Sequence, residues 1–156
     1  LKPAIGKSVA KQFKPIDTFK KVCHLFENNF RDSEIELIIK KNLETVEIKS
    51  YEYAFWVSFL NIINNAVYWL QSADQKKVIT FEYDSGNSAF LISNTGPKIP
   101  EEDLDVIFDY GITGKKEKSA TGLGLSFTRN LLSNRGWAIS AENRDYGPIF
   151  IIEQEG

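Results

Sequence analysis

The clearest periodicity in the chain lies between residues 51 and 72. Tyr51–Ser72 is apolar nearly all round, interrupted by Ser58, Asn61, Asn64 and Asn65, which predicts a long buried helix rather than a surface one. Upstream, Phe19, Val22, Cys23, Phe26 and Phe30 recur at helical spacing and predict an amphipathic helix over about 17–30. Lys2–Phe13 carries a weaker pattern, a helix or linker that ends near Pro15, since proline cannot continue a helix interior. Glu34–Ile39 and Thr45–Ile48 read as short strands with a turn around Lys41–Glu44. Val78–Tyr83 alternates Ile79, Phe81 and Tyr83 against Thr80 and Glu82, a half-exposed strand that turns at Asp84–Asn87 and returns as Ala89–Ser93. Beyond a loop at Asn94–Pro100, Pro100–Phe108 predicts a short helix with Glu101, Glu102 and Asp103 in its first turn, where the helix dipole favours acids. Asp109–Leu123 is rich in glycine and lysine and has no period. Leu125–Asn134 predicts a helix stopped by Gly136, and Trp137–Glu142 and Ile149–Glu153 two strands joined by a turn at Asp145–Pro148. Strands follow one another with helices set among them and no strict β-α-β-α alternation. The expected fold is therefore an α/β (α+β) two-layer sandwich: one mixed, mainly antiparallel sheet covered on one face by about three helices.

Composition narrows the class. The 156 residues suit one domain with a sizeable core, and 42% hydrophobic with 26% charged residues is ordinary for a globular protein. No apolar run reaches the roughly 18 residues of a membrane span, and the lysine-rich start lacks the apolar stretch of a secretory signal. A single cysteine, Cys23, rules out an internal disulfide framework or a cysteine-cluster zinc site and fits a reducing cytoplasm. The net charge of −2 argues against a whole-domain nucleic-acid binder. Six lysines against Asp17 alone make residues 1–21 basic, which suits a solvated helix face or a connector, or else an arm for nucleic acid or a membrane surface. The chain begins at Leu1 and contains no methionine, the expectation for a piece of a longer protein.

Three stretches carry candidate chemistry. Ser58, Asn61, Asn65 and Ser72 fall at helical spacing and form a polar stripe on an otherwise apolar rod. Buried amides left without partners cost about 1–3 kcal/mol each, so they hydrogen-bond to structure or face a polar ligand. Magnesium prefers hard oxygen donors and keeps several waters, so one amide oxygen plus nucleotide phosphates would make a plausible site. Thr121-Gly122-Leu123-Gly124-Leu125 opens directly into a helix. Glycines there let backbone N–H groups approach an anion at the positive end of the helix, although such sequences also serve as plain turns. Ile92-Ser93-Asn94-Thr95-Gly96-Pro97-Lys98-Ile99-Pro100 is a strand ending in an Asn-x-Gly turn, where Asn94 suits an adenine edge and Gly96 a flat ring, or simply a turn. Neither a P-loop nor a strand-linked G-x-G-x-x-G is present.

The order of these stretches resembles the ATP-binding domain of sensor histidine kinases, in the superfamily that also holds gyrase, MutL and the ninety-kilodalton heat-shock chaperones. Phe59–Ala66 looks like its N box, residues 92–100 like the G1 box, Ile107–Gly114 like the F box and Gly122–Leu125 like the G2 box. The resemblance covers about residues 12–154. It implies ATP and magnesium as ligands, with Asn65 as the metal ligand and Asn61 its same-face partner near the phosphates. Gly96 would lie under the adenine, with Asn94 at its amino group and Trp69 flanking the nucleotide; Ile99 and Phe108 would also belong to the cofactor site, Phe108 packing as an anchor for the lid. Thr121, Gly122, Leu123, Gly124 and Leu125 would hold the phosphates. Tyr110–Thr121, including Gly114, would be a lid from which Lys115 or Lys116 reaches the γ-phosphate; the same lysines also suit a plain solvated loop. Residues 1–14 would be a linker or the end of an upstream helix, and 15–156 the catalytic domain.

Three positions depart from the family pattern. Asn94 stands where an aspartate is usual, Lys98 replaces the second glycine of the G1 box, and Tyr68 and Trp69 occupy positions where a lysine and a tyrosine are frequent. Gyrase-type members place a water-orienting glutamate at the position of Asn61, which cannot act as a base, and this argues against rapid hydrolysis. The resemblance implies instead a protein-histidine kinase of two-component signalling, transferring phosphate to a histidine in an upstream dimerisation domain and onward to a response regulator. The protein would work in the cytoplasm as a homodimer formed through that upstream region, without nucleic-acid or membrane contact by this segment. His24, the only histidine, lacks the acid-Arg-x-Pro surroundings of a phosphoacceptor and reads as a helix-surface or half-buried residue. Two alternatives stay open: a nucleotide-sensing ATPase module of a larger regulatory or defence protein, and a degenerate module that keeps the fold but has lost ATP.

Overall fold

The computed structural model describes residues 9–109 and 124–156. Among the described residues, seven strands and four α-helices follow one another as β1 (Lys11–Phe13), α1 (Pro15–Leu25), α2 (Glu27–Asp32), β2 (Glu36–Ile39), β3 (Ile48–Ser50), α3 (Glu52–Leu70), β4 (Val78–Asp84), β5 (Ala89–Asn94), α4 (Gly124–Ser133), β6 (Trp137–Arg144) and β7 (Gly147–Gln154). Five strands form one mixed sheet in the order β2-β4-β5-β7-β6; β2 and β4 run parallel and the other pairs antiparallel. The expected two-layer sandwich is the fold. Helices α1, α3 and α4 lie side by side on one face with α3 central, and α4 packs over β6.

An aromatic knot holds the layers together. From α1 and α3, Phe19, Phe55 and Phe59 meet Phe81 of β4, Phe90 of β5 and Trp137 of β6. Phe19 stacks on Phe81 with ring centroids 4.0 Å apart, and Phe55 meets Trp137 edge-on at 5.0 Å. Period two in β4 turns Ile79 and Phe81 into this core, while Thr80 and Glu82 stay on the partly open side. At the start of α3, Glu52 accepts a hydrogen bond from the Thr18 hydroxyl at 2.8 Å and pairs with Lys21 at 3.5 Å, which ties α1 to the α3 N-terminus. No helix among the described residues is long and apolar enough to cross a membrane.

Several local expectations are corrected. The helix or linker expected over Lys2–Phe13 is, where described, the strand β1, antiparallel to β3 in a separate two-stranded sheet. Pro15 opens α1 rather than closing what precedes it, consistent with proline at the first helical position. The helix expected over about 17–30 breaks at Phe26, whose φ of −106° and ψ of 9° leave the helical region between α1 and α2. The turn expected around Lys41–Glu44 is present as a 3-10 turn over Lys41–Thr45, but the strand expected at Thr45–Ile48 stands at Ile48–Ser50; β2 pairs with β4 and β3 with β1. The short helix expected over Pro100–Phe108 reduces to a 3-10 turn at Glu101–Asp103 followed by turns. Gly136 does end the α4 region as expected, at φ +84°.

Two outcomes follow from this core. Phe59→Ala, which removes a ring touching Phe19, Phe55 and Phe81, should lower stability by about 3–5 kcal/mol in urea unfolding. Cys23 is buried and its thiol is pushed up by desolvation to about 12. It should therefore resist alkylation at pH 8 in the folded protein and react promptly in denaturant. Because the unfolded chain forms its thiolate near the ordinary value of 9.0 and the folded chain does not, this group also subtracts stability as pH rises from 9 toward 12.

Candidate functional site

The polar face of α3 organises the candidate site. Asn61, Asn65 and Trp69 stand four residues apart on α3, so they share one face and span about 12 Å along its axis. Asn61 donates through Nδ2 to the Gly124 carbonyl at 3.0 Å and to the Thr128 hydroxyl at 2.9 Å, and that hydroxyl donates to the same carbonyl at 2.9 Å. Both amide hydrogens are thereby committed to the first turn of α4. A Cβ at Gly124 would lie 3.5 Å from the Asn61 amide, so the two backbones approach closely there. Asn65 is half-buried one turn further on and has no hydrogen bond to any described residue. An amide so placed, with a free oxygen one turn from the α4 N-terminus, fits a ligand for magnesium and phosphate.

At the far end of the face, Trp69 meets the loop that follows β5. A Cβ on Gly96 would touch the Trp69 backbone and Cβ at 3.6 Å and would crowd the Asn94 Oδ1 at 2.8 Å. Asn94 is 3% exposed, and its Oδ1 accepts the Gly96 N–H at 2.8 Å. On the other side, a Cβ on Gly147 would collide with the Asn94 carbonyl oxygen, and the backbone φ of +149° there also disfavours a side chain. Phe108 is buried edge-on against Phe150, and Ile99 and Leu125 pack partly buried against the core.

Side chains that the sequence reading passed over clamp this loop. Asn143 of β6 accepts the Ile99 N–H at 2.9 Å and donates to the Ile99 carbonyl at 2.7 Å. Gln75 donates to the carbonyls of Thr95 at 2.7 Å and Tyr146 at 3.0 Å, joining the loop to the β6–β7 turn. The Thr95 hydroxyl donates to the Lys76 carbonyl at 2.6 Å and accepts the Val78 N–H at 2.9 Å. Nothing in local sequence distinguishes Asn143 or Gln75 from other surface amides, because their partners are remote backbone groups. Thr128, four residues after Gly124 on a helix, was the one with a visible signal.

The expected polar stripe is shorter than its spacing suggested. Ser58 is buried and donates to the Ala54 carbonyl of its own helix at 2.7 Å, and Ser72 lies beyond α3, exposed. The structure thus brings Asn61 to Gly124 and Trp69 to Gly96 and Asn94, with Asn65 between. Gly114, Lys115, Lys116, Thr121, Gly122 and Leu123 fall outside the described residues. His24 is a surface residue of α1 beside Glu27 at 3.1 Å.

Comparison with known proteins places the fold in a family. The model of the histidine kinase-, DNA gyrase B-, and HSP90-like ATPase family matches residues 57–154. The catalytic domain of histidine kinase ThkA in a nucleotide-free form superposes with a TM-score of 0.79 at 28% identity, covering 95% of this chain and 96% of that one. The same kinase in complex with the response regulator protein TrrA superposes with a TM-score of 0.74 at 26% identity, over 93% of this chain and 41% of that one. Among curated proteins, sensor histidine kinase GlnK of Bacillus subtilis (strain 168) is 25% identical over 137 residues, 76% of this chain but 33% of that protein.

The loop clamp has a direct readout. Asn143→Ala leaves both Ile99 backbone groups without their partner, and hydrogen exchange at the Ile99 amide should accelerate by roughly ten- to a hundredfold while the β4 core amides keep their protection. With its fold, its ordered motifs and the family match in agreement, the chain belongs to the histidine kinase-, DNA gyrase B- and HSP90-like ATPase family, as a catalytic domain of the sensor histidine kinase type.

Proposed function

We propose that this chain binds ATP with magnesium and delivers the γ-phosphate to a histidine of an upstream dimerisation domain in the same protein. The observation that carries the proposal is the spacing on α3: Asn61 contacts the α4 N-terminus and Trp69 contacts the Gly96 turn, with the unengaged amide of Asn65 midway. A base at one end and phosphates at the other match that separation. In this reading Asn65 is the magnesium ligand, and Asn61 holds the α4 N-terminus where the backbones of Gly122 and Gly124, with Thr121, Leu123 and Leu125, take the phosphates. Gly96 lies under the base, flanked by Asn94, Trp69 and Ile99, and Phe108 anchors the start of the segment that carries Gly114, Lys115 and Lys116. Either lysine would neutralise charge on the γ-phosphate. Magnesium, when bound, supplies charge neutralisation and alignment of the phosphates.

The catalytic unit is proposed as residues 15–156, with 1–14 as the lead-in from an upstream segment; the pairing of β1 with β3 docks that lead-in. Dimerisation through the upstream region, a response regulator as the onward acceptor and a cytoplasmic setting belong to the same proposal. The solved complex of ThkA with a response regulator supports the partner. Asn61, with no basic atom and both hydrogens engaged, favours transfer to an external acceptor over fast hydrolysis.

Calorimetric titration with a non-hydrolysable ATP analogue tests the site. Wild type should bind more tightly with magnesium than without it, and Asn65→Ala should lose that magnesium-dependent gain, about tenfold or more in Kd. Equal magnesium dependence in both proteins would remove Asn65 from the metal site.

A further inference from the structure

Helix α4 is fastened to α3 at both ends. At its start, Asn61 meets Gly124 and Thr128. At its far end Arg135 reaches back to Tyr53, which stands eight residues before Asn61 on α3, about 12 Å along the axis. The Arg135 guanidinium donates to the Leu131 carbonyl of α4 at 2.9 Å and to the Tyr53 hydroxyl at 2.6 Å. It also lies over two rings, 5.5 Å from the centre of Tyr51 and 5.1 Å from that of Tyr53, within the range of a cation–π attraction. Among the described residues no carboxylate pairs with Arg135, so two neutral tyrosines hold its charge. The planar fork of arginine can stack and donate at once, which the point charge of lysine cannot.

The same two tyrosines border the strand that leads into the domain. Tyr51 joins β3 to α3 in an extended conformation, and β1 pairs along β3 from Lys11 opposite Ser50 to Phe13 opposite Ile48. A groove of about 250 Å³ there is lined by Lys11, Gln12 and Phe13 of β1 and by Ser50, Tyr51 and Tyr53. Phe13 anchors β1 edge-on against Phe55 of α3, with ring centroids 5.6 Å apart. We infer that the Tyr51–Arg135–Tyr53 stack couples the seating of β1 to the last turn of α4, so that a pull lifting β1 from β3 loosens the end of α4. Without β1, β3 has no ladder partner, since the two strands form a sheet of their own, and Tyr51 is the direct continuation of β3. Arg135 then loses its stack, and the terminal carbonyls of α4, which have no partner within the helix, lose a fixed donor. A free-energy link between two places acts equally in both directions, so fraying of α4 also weakens the seat of β1. The coupling needs no nucleotide, because both of its ends belong to the fold.

Amide hydrogen exchange on the whole chain tests the coupling. In an antiparallel pair alternate N–H groups face the partner strand, so Lys11→Pro combined with Gln12→Pro removes a ladder bond whichever of the two faces β3. Exchange in β3 should accelerate. With it, exchange at the amides of Asn134 and Arg135, which bond to the Asn130 and Leu132 carbonyls at the end of α4, should accelerate by about tenfold. The β4 and β5 amides should keep their protection. In a Tyr53→Phe background, which keeps the ring and removes the acceptor of Arg135, the same prolines should change Asn134 and Arg135 by less than about twofold. Asn134 and Arg135 amides that ignore the undocking of β1 would overturn the inference. So would an acceleration of equal size in both backgrounds, or a β3 that does not respond to the prolines. If the proline variant does not fold, Tyr53→Phe alone gives the reverse reading: the end of α4 and β3 should both exchange about threefold faster or more, and a change confined to α4 would overturn the coupling.

Discussion

The arrangement depends on the burial of one side of α3. Phe55 and Phe59 project from it into a knot of rings that belong to α1 and to three strands, so the helix cannot roll or slide without breaking aromatic contacts in several directions at once. Each fully buried phenylalanine contributes about 1.5–3 kcal/mol of transfer free energy, and close packing resists even small displacements. A rod fixed in this way serves as a ruler. Its opposite face can then carry amides at intervals of one helical turn, and their separation is set by helix geometry instead of by loop conformation.

The two ends of that ruler are secured differently. At Asn61 the tie is a side-chain amide reaching across to a neighbouring helix, with the Thr128 hydroxyl sharing the work. At Trp69 the opposing element is irregular backbone, and irregular backbone needs external partners because it has no ladder of its own. Gln75, Asn143 and Thr95 supply them, each bonding to main-chain groups remote in sequence. Gly96 and Gly147 remove the side chains that would hold the layers apart. The loop after β5 is consequently a built wall.

Most of the architecture could be read from the sequence, because the long elements have strong periods: α3, the β4–β5 pair and the two C-terminal strands stand close to where their patterns put them. The order of the asparagine helix, the Asn-Thr-Gly turn and the Gly-Leu-Gly segment likewise pointed to the family. What could not be read was non-local. Glu36–Ile39 pairs with a strand that follows the whole of α3, and Lys11–Phe13 is a strand only because Ile48–Ser50 lies beside it. The break at Phe26 has no proline or glycine to announce it. The Asn143 clamp was hidden for the same reason, since an amide bonding to backbone in another element leaves no spacing to detect.

The same geometry constrains the chemistry. A residue that activates water must take a proton, and at the α3 position nearest the α4 N-terminus stands an amide whose nitrogen is already engaged twice. An amide oxygen is too weak a base for that task near neutral pH. What Asn61 can do is hold an electropositive helix end in a fixed direction, which lowers the cost of gathering phosphate charge there without accelerating attack by water. Rate enhancement in such a site comes from bringing a separate nucleophile into line with an immobilised phosphate. In the proposed reading, a domain built in this way keeps its nucleotide until an acceptor arrives, and the rigidity of the α3 face is what allows it to wait.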